Sequence, residues 1–214
     1  MAPGQQLRRY YFWASLPLGI LAFLVFPADF RVSRGLRYSD QMPGDLRKAV
    51  ELSEVFAHAI GVAFILSVVA VLDRRGWKNV ARVAACAFVP GIVANFCKLL
   101  IGRQRPSVAD LNDSVMSSFV RWLPAIRGGR VGEAFDHAIQ SFPSAHSATA
   151  VGLAIGLSFA YPRGRYLFFI FAFLAGLQRV MAGAHFPSDV FVGASIACLL
   201  APLFVTRNGS LGPV

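Results

Sequence analysis

The 214-residue sequence is poor in charge. Asp, Glu, Lys and Arg make up only 15% of it, against about 25% in soluble domains. Acids are the scarcer sign, 11 against 21 Lys and Arg, which leaves a formal charge of +10. With 56% hydrophobic residues and a mean hydropathy of +0.55, a soluble enzyme built around one buried core is excluded. The composition fits one integral-membrane domain over residues 1–214. Cysteine is scarce as well. Cys86, Cys97 and Cys198 lie inside apolar runs without metal-ligand spacing, so they read as small buried hydrophobes. There is no internal repeat, no low-complexity tract, no long basic stripe and no interleaved aromatic motif. Nucleic-acid binding is thereby excluded. Basic loops at anionic lipid headgroups account for the positive charge.

Apolar runs are what the sequence has in quantity. Six approach the ~20 residues that span a bilayer: Tyr11–Phe26, Val55–Leu72, Val80–Ile101, Ser144–Tyr161, Tyr166–Ala184 and Ser188–Val205. They predict an all-α, six-span membrane protein. No small-x-small cleavage site follows the first run, which is kept as an anchor. The run Leu167–Phe173 is apolar all round and is expected to face lipid. Gly152, Gly156, Gly176 and Gly193 are expected to let helices approach closely. The connections Asp73–Lys78 and Pro162–Arg165 are short basic turns. Asp29–Glu54 is a longer linker of mixed charge, with Pro43-Gly44-Asp45 as a turn into a helix start. Gly102–Phe142 is the longest, and its Phe119, Trp122 and Leu123 predict a short interfacial helix or cap.

The unusual polar residues fall at the ends of these runs. At 1.5 Å of rise per residue, Lys98, His146, Arg179, His185 and Asp189 all come near one membrane face. The turns carrying Arg74, Arg75, Lys78, Arg163 and Arg165, with Arg8, Arg9 and Arg207, share the opposite face. The positive-inside rule makes that opposite face cytoplasmic and the motif face outward.

Each cluster suggests a piece of chemistry. His185 and Asp189 are four apart with Pro187 between them, at a helix entry. A carboxylate near one ring nitrogen would fix the tautomer and leave the other nitrogen free to attack. Lys98, Arg105 and Arg179 are the cations a phosphate needs. Lys98 and Arg105 are seven apart, about two helical turns, on one face of a helix that Pro106 stops. Snorkelling to the headgroups is the alternative for each cation. Ser144, Ala145 and His146 open a helix whose N-terminus favours an anion. Ser144 is also a plausible N-cap, and His146 could protonate a departing oxygen. Glu54 and His58, four apart, read as an interfacial helix start, with a supporting role at the site as the alternative. Asp136-His137 reads as solvated loop. Arg103 reads as a further headgroup contact or a snorkelling side chain.

Taken together, these segments resemble the type 2 phosphatidic acid phosphatase (PAP2) superfamily, in its membrane-bound lipid phosphatase branch. The family's first motif is Lys, six residues, Arg-Pro, and Lys98 to Arg105-Pro106 matches it. The second is Pro-Ser-Gly-His, matched by Pro143, Ser144 and His146, with Ala145 in place of Gly. The third is Ser-Arg, five residues, His, three residues, Asp. Arg179, His185 and Asp189 match it, with Gln178 in place of Ser. The resemblance covers roughly Val80 to Val205, with the core motifs over 98–189. It implies that His185 attacks phosphorus to form a phosphohistidine, that Asp189 supports it and that His146 donates a proton to the leaving group. Lys98, Arg105, Arg179, Ser144 and Ala145 would hold the phosphate. No metal, cofactor or protein partner is implied. The implied partners are a lipid phosphate or diphosphate and the lipids of a bacterial inner or cell membrane. A lipid phosphotransferase using the same intermediate and a non-catalytic lipid-phosphate binder or transporter remain open readings. A soluble haloperoxidase shares the constellation with vanadate, but the six spans argue against it.

Overall fold

The computed structural model describes residues 3–37, 42–73, 77–122 and 136–205. Expectations placed on Arg74, Arg75, Leu123 and Arg207 lie outside these residues. Helix α1 runs over Pro3–Val25, and a 3₁₀ turn at Phe26–Ala28 leads into α2, Asp29–Leu36. Helix α3 spans Gly44–Leu52 and enters from Pro43, whose extended backbone suits a residue outside the first turn. A 3₁₀ turn, Ser53–Phe56, precedes α4, Ala59–Leu72. Helix α5 covers Trp77–Lys98. The three remaining helices are α6, Ala145–Ala160, α7, Arg165–Met181, and α8, Pro187–Leu200.

All six apolar runs therefore form helices, but they do not all meet the length of a crossing. Gln5–Leu36, Trp77–Lys98 and Pro162–Met181 are long and apolar enough, and Gly44–Phe56 with Ala59–Leu72 makes a fourth candidate, bent by 72°. Helices α6 and α8 have 16 and 14 residues, about 24 and 21 Å at 1.5 Å per residue. That is short of the ~30 Å hydrocarbon core. The reason lies at their N-termini. Ser144, Ser188 and Asp189 are buried, so both helices start inside the protein and not at its surface.

Helix α6 is the centre of the bundle. Thirteen of its residues are buried, and it packs against α5, α7 and α8. Small residues make this possible. A Cβ on Gly152 would stand 2.1 Å from the Cys86 carbonyl oxygen of α5, so the α5–α6 contact is backbone against backbone. Helix α1 packs on α8. The outer surface is apolar, with Phe23, Phe64, Val71 and Phe173 largely exposed, as lipid-facing helices require. The Leu167–Phe173 run divides its labour. Leu167, Ile170, Phe171 and Phe173 face outward, whereas Phe168 and Phe169 pack on the core and Ala172 is buried. Cys86 and Cys198 are buried, and Cys97 is half-buried.

The segment after α5 departs from expectation. The helix stops at Lys98, and Ile101–Arg103 forms strand β1, antiparallel to β2 at Phe119–Trp122. The cap expected around Phe119 and Trp122 is thus a two-stranded ribbon. Lys98 and Arg105 do not share a helix face. The second strand supplies the backbone partners that a continuing helix would have supplied, and Gly102 lets the strands lie close, since a Cβ there would stand 3.2 Å from the Arg121 Cβ.

Candidate active site

The ribbon, the α6 entry and the α7–α8 connection converge. Helix α7 ends at Met181, and Gly183 adopts φ +65°, a left-handed conformation that turns the chain sharply after the helix. The Arg179 carbonyl then accepts the backbone N–H groups of Ala184 and His185, the latter at 3.2 Å, and the Gly183 carbonyl accepts Ser107 N–H at 3.0 Å. This tie joins the α7–α8 turn to the loop that carries Arg105.

His185 is 1% exposed. Its Nδ1 lies 2.6 Å from the Ser141 carbonyl oxygen. A carbonyl can only accept, so Nδ1 carries the proton and the lone pair sits on Nε2. Burial, then the nearby Lys98 and Arg105 cations, push the imidazole well below its usual range, so the ring is neutral around pH 7. Asp189 plays a different part from the one expected. Its Oδ2 is 4.0 Å from His185 Nδ1, too far for a hydrogen bond. It accepts instead from Ser141 Oγ at 2.6 Å and from the Phe186 backbone N–H at 2.9 Å. The physical reason is its position three residues past the helix cap, where a carboxylate turns back to the free N–H groups. The tautomer of His185 is set by the Ser141 carbonyl, and Asp189 secures Ser141.

The cations gather on the same side. Lys98 is buried at 7% exposure. The Arg105 Nε is buried without a hydrogen-bond partner among the described residues, and burial with the neighbouring Arg179 holds its guanidinium below the usual range. It stays charged, since an arginine does not deprotonate in proteins. Arg179 donates from Nε to Gln178 Oε1 at 2.5 Å and pairs through Nη2 with Glu54 Oε1 at 2.7 Å. His146 lies within electrostatic range of Arg179, Lys98, His58 and Arg105, its ring 6.1 Å from that of His58. Ser144 is buried and caps α6, its Oγ accepting from Ser147 N–H at 3.3 Å and Ser147 Oγ at 2.9 Å, while its N–H donates to the Asp189 carbonyl at 3.0 Å. Ala145 follows as the first helical residue and is buried. Every residue singled out from the motifs thus falls in one cluster.

The profile of the PAP2 superfamily matches residues 79–210. The chain belongs to the PAP2 superfamily. PAP2 relatives agree along most of the length. A lipid A 1-phosphatase of Rhizobium johnstonii is 35% identical over 211 residues, covering 90% of this chain and 78% of the relative. The decaprenylphosphoryl-5-phosphoribose phosphatase of Mycobacterium tuberculosis is 31% identical, covering 78% of this chain and 82% of the relative. Solved structures share the fold. The crystal structure of Aquifex aeolicus LpxE matches with a TM-score of 0.58 at 21% identity, over 82% of this chain and 93% of that one. A PAP2-type phosphatidylglycerolphosphate phosphatase of Bacillus subtilis matches with 0.57 at 20%, over 92% and 93%. As a PAP2 enzyme with apolar helices, the protein is a membrane phosphatase of the lipid-phosphatase kind.

Sequence reasoning misplaced three residues. Glu54 belongs to the cluster through Arg179, whereas Asp136 and His137 are exposed as expected. Arg103 does not snorkel. It is 0% exposed and pairs with Asp189 Oδ1 at 2.5 Å and Asp29 Oδ2 at 2.7 Å. Asp29, read as linker, opens α2 and is buried. The only signal was that each lies just beyond an apolar run, where a charge is costly unless paired; nothing in the sequence joins one to the other.

Proposed function

We propose that the protein hydrolyses a lipid phosphate or diphosphate monoester through a phosphohistidine at His185, without a metal. The observation that carries this reading is the buried imidazole whose Nδ1 donates to the Ser141 carbonyl, leaving Nε2 as a nucleophile beside Lys98 and Arg105. In the first step Nε2 attacks phosphorus and the bond to the leaving oxygen breaks, with His146 giving that oxygen a proton. Lys98, Arg105, Arg179 and the α6 entry at Ser144 and Ala145 stabilise the equatorial oxygens. In the second step water attacks the phosphohistidine, His146 takes its proton, and inorganic phosphate leaves with His185 restored.

The substrate is lipid-borne. A cleft of 700 Å³ runs from Glu54 and His58 along Ile60, Phe64 and Ile65, a polar head continuing into an apolar wall. That shape suits a headgroup entering sideways from the bilayer. The single domain would span 1–214, in a bacterial inner or cell membrane with the site facing outward. Lipid A and polyprenyl diphosphates head the substrate panel, followed by phosphatidylglycerol phosphate and phosphatidic acid.

The test is phosphate release from that panel by purified protein in EDTA, with acid-labile phosphoprotein trapped by rapid quench. Release with a trapped phosphohistidine that His185→Ala abolishes is the expected result. Inhibition by EDTA reversed by a divalent ion would overturn the metal-free mechanism. Transfer to a lipid alcohol without release would make the protein a phosphotransferase, and binding without either would make it a binder.

A further inference from the structure

Arg103 stands outside the phosphate-facing set, yet all three of its guanidinium nitrogens are partnered. Its Nε donates to Ser118 Oγ at 3.1 Å, Nη1 to Ser188 Oγ at 2.8 Å and Asp189 Oδ1 at 2.5 Å, and Nη2 to Asp29 Oδ2 at 2.7 Å. The rings of Phe186, Phe119 and Phe26 surround it, their centroids 4.2, 4.8 and 5.3 Å from the guanidinium carbon. Neither water nor a lipid headgroup reaches it. Its charge is spent entirely inside the protein, between two carboxylates.

Both carboxylates act on the first turn of α8. Asp29 Oδ1 accepts the Ser188 backbone N–H at 2.9 Å and Oδ2 accepts the Ser188 hydroxyl. Asp189 accepts from Phe186 N–H and the Ser141 hydroxyl, and the Ser141 carbonyl accepts a hydrogen bond from His185 Nδ1–H. The Ser141 N–H in turn donates to the Arg103 carbonyl at 3.0 Å. An unbroken path of hydrogen bonds therefore runs from Asp29 through Arg103, Asp189 and Ser141 to His185. Asp29 lies in the N-terminal segment, ahead of the residues 79–210 that match the family.

A buried ion pair is a poor way to gain stability, since packed apolar side chains of equal volume do as well or better. Its use is to allow one arrangement only. With Arg103 shared between two acids, Asp189 cannot rotate towards His185, and Ser141 stays the acceptor of the imidazole proton. We propose that Asp29 and Arg103 form a positioning pair for His185, which makes the N-terminal segment a working part of the active centre. The inference rests on His185 being the nucleophile.

The test compares the parent with Asp29→Asn, Arg103→Lys and Arg103→Gln, all full-length and purified in detergent, on the best lipid phosphate of the panel. Three quantities are read: kcat and KM separately, the single-turnover rate of phosphohistidine formation, and the ¹⁵N shifts of His185, which report which ring nitrogen holds the proton. Asp29→Asn lowers kcat and phosphohistidine formation by about 10–100-fold, the size of loss known for outer hydrogen-bond partners of metal-ligating side chains. KM stays near the parent's, and the His185 nitrogens shift towards a mixture of tautomers. Arg103→Lys keeps more activity than Arg103→Gln. Where a charge change prevents folding, Ser188→Ala removes only the hydroxyl joining Arg103 to Asp29 and gives a smaller loss of the same kind. Unchanged kcat and His185 shifts in folded Asp29→Asn, or a loss confined to KM or melting temperature, overturn the positioning pair. A parent that never forms phosphohistidine overturns the nucleophile reading instead.

Discussion

At the scale of single residues, the site is a balance of charges around one neutral ring. His146 stands among cations, whose charge a bound phosphate would offset, and its proposed acid role is open to test. His146→Ala is expected to slow cleavage of a lipid phosphate by about 10²–10⁴-fold, the span of general-acid loss. An aryl phosphate leaves with little need of protonation, so the mutant recovers much of its rate there. Equal losses on both substrates would leave His146 as a phosphate contact only. Glu54 is the other informative residue, because its carboxylate occupies the Arg179 guanidinium at 2.7 Å that an incoming phosphate would use. Glu54 is partly exposed, and such pairs are worth about 0.2–1 kcal/mol. Glu54→Gln should thus lower KM by about 1.5- to 5-fold with kcat little changed. A higher KM in steady-state assays would mean that Glu54 orients Arg179 for the substrate.

At the scale of elements, the decisive contact is α5 on α6. Lys98 stands at the end of one, and Ser144 to His146 open the other, so their spacing would set the width of the proposed phosphate site. With the Cys86 carbonyl 2.1 Å from where a Cβ would stand at Gly152, Gly152→Ala forces backbones apart. Overpacking of this kind costs about 1–3 kcal/mol. The expected outcome is a lower melting temperature in detergent together with a lower kcat, although Gly152 touches no reacting group. An unchanged melting curve would show that the two helices can separate freely.

At the scale of the whole molecule, burying His185 makes stability depend on pH. The unfolded chain carries this imidazole near its ordinary value of about 6.5, and the folded chain holds it well below, through burial and then Lys98 and Arg105. Above the ordinary value the ring is neutral in both states and contributes no pH dependence. Below it the unfolded chain takes up a proton that the folded chain refuses, so stability falls as pH falls. Melting temperatures of the parent should decline from pH 7 to pH 5 more steeply than those of His185→Gln. Parallel curves would mean that the imidazole is not held neutral by the fold.

Hydropathy and motif spacing by themselves determined the mostly helical membrane class, the six apolar segments and the family. Lys98, Arg105, Ser144, His146, Arg179, His185 and Asp189 were legible because charge beside lipid is costly and stands out against an apolar background. Only the tertiary structure decided what each of them touches. Strand β1 replaced the expected helical turn after Lys98 because a partner strand from beyond Ser118 completes its hydrogen bonds. Asp189 turned to Ser141 and not to His185 because capping geometry aims it at the helix entry. Asp29 and Arg103 are 74 positions apart, and no local pattern relates them. Their pairing follows from where α2 and the ribbon come to rest, since hydrogen bonds act over ångströms whatever the separation along the chain.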